Sequence, residues 1–570
     1  PEGQLLDEAG NAIDQAGIDE IEIMMDAATM ASNAEIHEPD EDHHGWYPVG
    51  DPTEAALVTM STKLGTRSPI EDEENPELKE FPFDSERKLM SSVRQFGNRE
   101  QLAMKGAAAA VLSVSRHIYR NGKAEPITEE DRSNIMSIME EFSAQALRVL
   151  AIAYRPLESD GRDYSMESVE KDVTFLGLVG MMDPPREGVR EAMEECHDAG
   201  IRTFIMTGDH AITAQAIGNQ IGLDADGHPS KVFTGTELKE MDDAKLTDIM
   251  EHEQSLIFSR VDPEDKLRIV TLLEDFGEVV AVTGDGVNDA PALRKADIGV
   301  AMGRIGTDVS KEASELVLLD DSFPTLVHAV REGRTIYRNL KKTVLASMTT
   351  NAAELVVVLL GLAGVAMSNW AIPILAIQIL AIDLLAEIMP LTYLTYDPPP
   401  DDVMRTPPRD QKDHILNRGS SLEVIFLGVL IGALSFANYA LFMTRHGISF
   451  NILEGSGMID PAQAVMYAQA TTVTYLTIGF CQFVNILSRR YEKASIFNRN
   501  FFSNRILLLS VLGSIVLIML AIYLPWVREF LRFHPPSLSD WGYVLGAAGV
   551  YLAAFEIMKI FKRIRARQPR

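Results

Sequence analysis

Two cysteines, Cys196 and Cys481, are all that 570 residues contain. That count excludes a disulfide-stapled scaffold and a cysteine-rich zinc module, and it suits a reducing compartment for any soluble part. Basic residues are also scarce: 52 Lys and Arg stand against 82 Asp and Glu, a formal charge of −30. This balance excludes a general nucleic-acid binder, which needs a basic face for phosphates. The deficit is steepest in residues 1–80, where 21 acids meet only Lys63, Arg67 and Lys79. We read that region as a solvated acidic surface and its acidic run at 71–74 as a loop. No signal-peptide pattern opens the chain, and its first residue is Pro1 rather than Met, so further chain is expected upstream.

What is present divides into two halves. Up to about residue 340, apolar and charged segments alternate as in α/β domains. Beyond it, six apolar runs reach the ~20 residues that a bilayer crossing needs. They lie near 344–367, 371–396, 421–443, 464–487, 506–527 and 541–561, the first two forming a hairpin. Arg405, Arg409, Lys412 and Arg418 lie between the second and third runs. Arg489, Arg490, Lys493, Arg499 and Arg505 lie between the fourth and fifth, and more basic residues follow the sixth. Opposite loops hold only Arg445, Arg528 and Arg532. The positive-inside rule then puts the soluble half and the C-terminus in the cytoplasm.

Four stretches of the soluble half suit phosphate chemistry. TGDGVNDAP at 283–291 follows a β-like run and gathers Asp285, Asn288 and Asp289 within five positions, a pattern for a hard divalent ion. Thr207-Gly208-Asp209 sits between an apolar strand and a helix, where free backbone N–H groups can cradle a phosphate. Lys266, in the stretch 259–273, lies just inside a helix and offers a positive charge. Asp183-Pro184-Pro185-Arg186 opens an amphipathic helix.

Ionisable groups inside a bilayer are expensive and point to function. The first run carries Asn351 and Glu354 at a spacing of three, the second Asp383 and Glu387 at four, the fourth Gln482 and Asn485 at three. Each spacing places its pair on one helix face. Pro390, one turn past Glu387, should loosen the helix. Oxygen ligands converging there suit Ca²⁺, Na⁺ or K⁺ rather than a soft metal. For Asn351, Gln482 and Asn485 the alternative is a hydrogen bond between helices.

Together, in this order, the motifs at 207–209, 266 and 283–291 resemble the phosphorylation domain of P-type cation ATPases, of the haloacid-dehalogenase-like superfamily. The resemblance implies ATP and Mg²⁺ as cofactors and an Asp nucleophile in a DKTGT motif. That motif is absent from the sequence; the family's reacting Asp is expected in an upstream part of the same protein. It implies that Asp285 holds Mg²⁺, and that Asn288 and Asp289 orient phosphate and water. Thr207 and Lys266 would bind the transferred phosphoryl group, with Gly208 in the turn and Asp209 positioning nucleotide and metal.

GDPTEAAL (50–57), FPFDSERKLMSSV (81–93), KGA (105–107) and ALRVLAIAY (146–154) resemble the family's nucleotide-binding domain. By that resemblance Phe83 stacks on adenine near Lys88 and Lys105. Glu54 and Arg148 hold its edge and phosphates, and Asp183, Arg186 and Arg260 join the nucleotide set. The first two membrane runs are similar to the fifth and sixth helices of type II pumps, although Asp383, Ala386 and Glu387 mix the sodium/potassium and calcium patterns. The implied architecture is a Rossmann-type phosphorylation domain (181–335) and an α+β nucleotide-binding domain (1–180). Stalk and two helices follow (336–396), then a four-helix C-terminal domain (397–570), giving an all-α bundle of six. The expected activity is ATP-driven transport of a hard cation across a lipid bilayer, Ca²⁺ first and a Na⁺/K⁺-type ion next. The rivals are a membrane-anchored phosphatase and a non-enzymatic pump derivative.

Overall fold

The computed structural model describes residues 5–566 apart from 8–9, 41–45, 64–74, 85, 97–98, 146, 159–163, 225–228, 369, 400–401, 411, 449–460 and 493. The acidic run 71–74 lies outside the described residues. The chain forms two compact units: residues 1–194 with 202–323, and residues 195–201 with 324–570. The first is mixed α/β and the second is helical, as the sequence pattern predicts.

Fifteen strands run through the described residues of the first unit. In chain order they are β1 Glu35–His37, β2 Tyr47–Val49, β3 Glu77–Asp84, β4 Leu89–Phe96, β5 Arg99–Gly106, β6 Ser115–Arg120, β7 Lys123–Pro126, β8 Arg148–Leu157 and β9 Val173–Met181. Then come β10 Thr203–Thr207, β11 Lys231–Thr234, β12 Ser255–Ser259, β13 Ala281–Gly284, β14 Ile298–Met302 and β15 Leu316–Leu318. A seven-stranded sheet has the order β3-β4-β5-β8-β9-β6-β7 and is antiparallel except at β6/β9. Ala103, Ile152 and Val179 on one face pack with Ala27, Ala28, Met30 and Leu57 of helices Gln15–Met30 and Pro52–Thr62. Leu102, Met104, Val93 and Phe81 on the other pack with Val111, Leu112 and Ile135 of helices Ala108–Val114 and Glu129–Ala144.

Later in the chain come two parallel three-stranded sheets, β10-β12-β11 and β13-β14-β15. β12 is flanked on both sides and fully buried, whereas β10 and β13 end their sheets and are only partly covered. Parallel strands are normally enclosed, so two such open edges are unusual. They are close neighbours: Met206 of β10 packs against the cluster that holds Val282 of β13.

Among its described residues the second unit holds six helices long and apolar enough to cross a membrane. The first, Phe323–Ser368, is unbroken over 46 residues. At 1.5 Å per residue that is about 69 Å, more than twice a ~30 Å hydrocarbon core. The fourth, Pro461–Arg489, is the most enclosed: 83% of its most apolar stretch is buried, against 33–44% in the other five. Its Thr471, Thr472, Thr474 and Thr477 hydroxyls bond back to carbonyls three or four residues earlier, so the helix stays polar in sequence without exposing donors.

Two glycines interlock the third span, Arg418–Arg445, with the first. A Cβ at Gly428 would lie 2.6 Å from the Ala352 Cβ; one at Gly432 would lie 2.6 Å from Val356 Cγ1 and 2.9 Å from the Ala353 carbonyl oxygen. Small residues four apart let helix backbones approach in this way. Gly432→Val should therefore cost about 1–3 kcal/mol through overpacking, read as a lower unfolding temperature of the purified protein. Gly549→Val, at a position with open space around it, should be nearly silent.

Candidate functional site

The phosphate-type motifs converge at the C-terminal ends of β10, β12 and β13. Helix Pro263–Phe276 starts here because Asp262 caps it, Pro263 takes the first turn and Asp265 closes a capping box. That start delivers Lys266, whose Nζ donates to Asp289 Oδ1 at 2.7 Å. Asp289 Oδ2 accepts from the backbone N–H groups of Asp285 (3.2 Å) and Gly286 (3.1 Å). The aspartate is thus folded under its own loop, and only glycine fits above it: a Cβ at Gly284 would lie 2.5 Å from the Asp289 Cβ. Burial pushes the Asp289 carboxyl up, but Lys266 and the two N–H donors outweigh it and hold the pKa below the usual value.

Asp285 is the reverse case. Its carbonyl is pinned by the Thr307 N–H (2.9 Å) and the Ser310 hydroxyl (3.1 Å), while its carboxylate is exposed and makes no hydrogen bond among the described residues. One fixed, free carboxylate suits Mg²⁺, which keeps several waters and takes few protein ligands. Among the described residues no three His, Cys, Asp or Glu side chains cluster as a complete metal site. Asn288 is exposed beside it. Thr207 Oγ1 donates to Asp209 Oδ2 at 3.0 Å and accepts from the Asp209 N–H, forming a tight turn with open space around Gly208. Arg260 has a positive φ of 51°, and its N–H donates to the Asp209 carbonyl, locking the ends of β10 and β12 together.

The nucleotide-type residues gather on one face of the large sheet. Lys105 is buried, and its Nζ donates to Glu54 Oε1 (2.8 Å) and Ser32 Oγ (3.1 Å). Glu54 Oε2 accepts from the Asn33 N–H at 2.8 Å. Burial pulls the Lys105 pKa down against the pull of Glu54, Asp51 and Glu80. Arg148 is exposed and close enough to Asp51 to affect it: burial raises the Asp51 carboxyl, but the Glu54 and Thr53 N–H groups and Arg148 leave it below the ordinary value. Phe83 is 62% exposed while Phe81, two residues earlier, is core. The cause is a one-residue bulge between Phe81 and Asp84. It turns Phe83 away from the Phe81 face to the face that carries Lys105. Lys88, at φ 58°, stands at the end of the same hairpin, its carbonyl accepting from the Ala107 N–H.

Asp183 is exposed, and Arg186 donates instead to the carbonyl of Asp321, so the structure gives it a bracing contact within the unit. Asp51, Ser32, Asn33 and Glu80 around Lys105 escaped sequence reasoning. Only Asp51 had a signal there, as the Asp-Pro helix start of 50–57.

In the helical unit the structure brings together Glu354, Glu387 and Gln482, all buried. Glu387 Oε1 accepts from Gln482 Nε2 (2.9 Å) and Oε2 from Ser347 Oγ (3.3 Å); Glu354 Oε1 has no partner among the described residues. Asp383 is half-buried beside them. Three expectations need correction. Asn351 is exposed while Glu354 is buried, because a spacing of three still leaves residues about 60° apart, enough to straddle the edge of a buried face. Residues Ile382–Glu387 form a π-helical turn rather than α-helix, with the Ile388 N–H bonded to the Asp383 carbonyl. Arg489, read as a loop residue, ends the fourth span, is buried, and pairs with Glu423 at 3.1 Å. Asn485 has its oxygen taken by Arg489 Nε (3.0 Å) and the Tyr551 hydroxyl (3.2 Å), so in this arrangement it has no lone pair for a cation. The polar stripe 482, 485, 489 at spacings of three and four was the available signal for Arg489.

Comparison with known proteins places this geometry. One family model, "P-type ATPase, cytoplasmic domain N", matches residues 20–188, and another, "Cation transporting ATPase, C-terminus", matches 371–561. The class is therefore a membrane-embedded ATPase region. Calcium-transporting ATPase 1 of Bacillus cereus is 37% identical over 90% of this chain and 56% of its own length. The calcium-transporting ATPase of Bacillus subtilis is 37% identical over 88% and 53%. The rat sodium/potassium-transporting ATPase subunit alpha-4 is 30% identical over 90% and 55%. The chain belongs to the type II P-type cation-transporting ATPases, and it spans about half the length of these relatives.

The Asp289 latch makes a testable statement about acid. A carboxyl whose folded pKa is depressed contributes stability above its unfolded value, near 4, and loses it as pH falls through the lower folded value. Asp289→Asn should cost about 1–3 kcal/mol at pH 7. The gap to wild type should narrow in thermal unfolding scans as the pH falls below about 4, toward the lower folded value.

Proposed function

We propose that this chain is the ion-binding and greater part of the ATP-using machinery of a pump. It moves a hard cation, Ca²⁺ first, across a membrane through an aspartyl phosphate. The observation that carries the reading is the pair Glu354 and Glu387, buried in an apolar bundle where, among the described residues, Glu387 meets amide and hydroxyl donors and Glu354 Oε1 meets none. A carboxylate costs several kcal/mol to bury without compensation; a transported cation compensates two of them at once. The relatives are named for calcium and for sodium/potassium, and oxygen-only donors suit these ions.

The nucleophilic Asp belongs, on this reading, to an upstream strand of the complete protein. The open edges of β10 and β13 support it, since one parallel strand between them would join the two sheets and set its C-terminal end beside Thr207, Lys266 and Asp285. There a carboxylate oxygen attacks the γ-phosphorus of ATP and the bond to ADP breaks; water later cleaves the acyl phosphate. Lys266 and Thr207 bind the phosphoryl oxygens, Asn288 orients them, and Asp289 holds Lys266 and the loop in place. Mg²⁺ bound at Asp285 would supply neutralisation of the phosphate charge. Adenine lies on Phe83, with Lys105, Glu54 and Arg148 beside it. By the positive-inside rule, the basic residues between the spans support a cytoplasmic setting for these domains.

In the full-length protein, Phe83→Ala should weaken ATP binding by about 1–3 kcal/mol, the worth of a base stacked on an aromatic ring. Titration calorimetry reads it, and unchanged affinity removes Phe83 from the pocket. ATP hydrolysis measured against Ca²⁺, Na⁺ and K⁺ identifies the ion. Glu354→Gln should raise its half-maximal concentration at least tenfold with ATP affinity unchanged. If no cation stimulates the wild type, transport is the wrong reading.

A further inference from the structure

The hydrogen bonds around Asn485 have a direction. Arg489 is buried at the end of the fourth span and has only donors to give. Its guanidinium serves Glu423 Oε1 (3.1 Å), Thr349 Oγ1 (2.8 Å) and, through Nε, Asn485 (3.0 Å). Whatever faces that Nε must be an acceptor, so the Asn485 oxygen faces it, and the Tyr551 hydroxyl takes its second lone pair. The Asn485 amide nitrogen is then turned the other way and donates to the Ala346 carbonyl (3.2 Å) and to Gln482 Oε1 (2.8 Å). With its oxygen so engaged, Gln482 points its Nε2 at Glu387 Oε1, 2.9 Å away. All four hydrogen-bonding valences of Asn485 are used, and Gln482 and Asn485 are both fully buried.

We propose that Arg489, Asn485 and Gln482 form a directional relay that presents a donor to Glu387 and fixes its orientation, which makes Arg489 and Asn485 positioning residues for the cation site rather than ligands in it. The inference rests on the cation-pump reading for its functional half. The relay fixes one Glu387 oxygen against the fourth span and leaves the other toward the first span, where Ser347 touches it and Glu354 lies close enough to influence it. A helix-borne guanidinium three links away thereby sets the geometry of an acid on another helix. Removing groups that orient a metal ligand commonly costs 10–100-fold in affinity.

The discriminating variant is Asn485→Asp in the full-length protein. It is nearly isosteric and still accepts from Arg489, but it has no N–H for Gln482, so the relay is cut. We expect half-maximal Ca²⁺ stimulation to move to at least tenfold higher concentration, with ATP affinity unchanged. An added negative charge acting by simple attraction would move it lower; that result, or no change, overturns the relay. A second measurement needs no transport. Asn485→Asp should lower the unfolding temperature of the detergent-purified protein. Adding Glu387→Gln should restore most of the loss, because the new amide can donate and the chain then runs satisfied in reverse. Adding Glu354→Gln, the same change in charge, should not restore it. Equal rescue by both, or no loss to rescue, overturns the proposal. If no cation stimulates the wild type, the pump reading falls, and the melting comparison still decides the relay.

Discussion

A carboxylate among apolar helices has to be met by a donor, a counter-charge or a proton, and most of the helical unit follows from how it meets three of them. Inserting an Asp at a helix centre costs about 3 kcal/mol, so each acid must justify its place in the packing. Glu387 is answered by Gln482 and Ser347, and Glu423 by Arg489 and Lys562. Glu354 is not fully answered. The fourth span, the most enclosed helix, carries two of these four answering groups, Gln482 and Arg489, and its threonines spend their donors on their own backbone. Gly428 and Gly432 bring the third span against the first, closing the side on which Glu423 reaches Arg489.

In the soluble unit a phosphate's charge sets the same kind of problem, with the opposite solution. Here the acids sort into one that is spent and one that is free. Asp289 is consumed by Lys266 and two loop N–H groups, which fix the turn; Asp285 is held only by its backbone, which leaves its carboxylate available. Two acids four residues apart thus do different work because one is folded under the loop and the other stands on it. The Lys105–Glu54 pair is a comparable device: a buried lysine is costly, and the surrounding acids oppose that cost on a face packed with alanines, Met30, Leu57, Ile152 and Val179.

Much of this was legible in the sequence. The six spans, the two-unit division and the strand–turn–helix settings of residues 207–209, 266 and 283–291 follow from periodicity, glycine turns and capping residues, which act locally. What escaped is what depends on geometry between elements. Phe83 is set on adenine by the family resemblance alone, and the bulge after Phe81 that exposes it has no local signal. Asn351 and Glu354 share a face by arithmetic, yet the edge of the packed surface runs between them. Arg489 was read as a loop charge because basic residues usually stop at the membrane edge. It stays buried only because Glu423 and Thr349, on two other helices, meet it.

The π-helical turn at Ile382–Glu387 shows the limit of spacing arguments most plainly. Pro390 has no N–H to give, so a carbonyl one turn earlier loses its helical partner. A widened turn moves the bonding from four residues to five, as the Ile388 N–H to Asp383 carbonyl bond shows, and takes up the mismatch ahead of the proline. Its cost is looser backbone packing, which an apolar helix would not tolerate without compensation. The turn begins one residue before Asp383 and ends on Glu387. The segment that departs from α-helix is therefore the segment that carries the acids, and irregular backbone at membrane depth persists where it lines a buried polar site rather than lipid. Proline and acids are parts of one arrangement: the first releases the backbone that the second need in order to turn inward together.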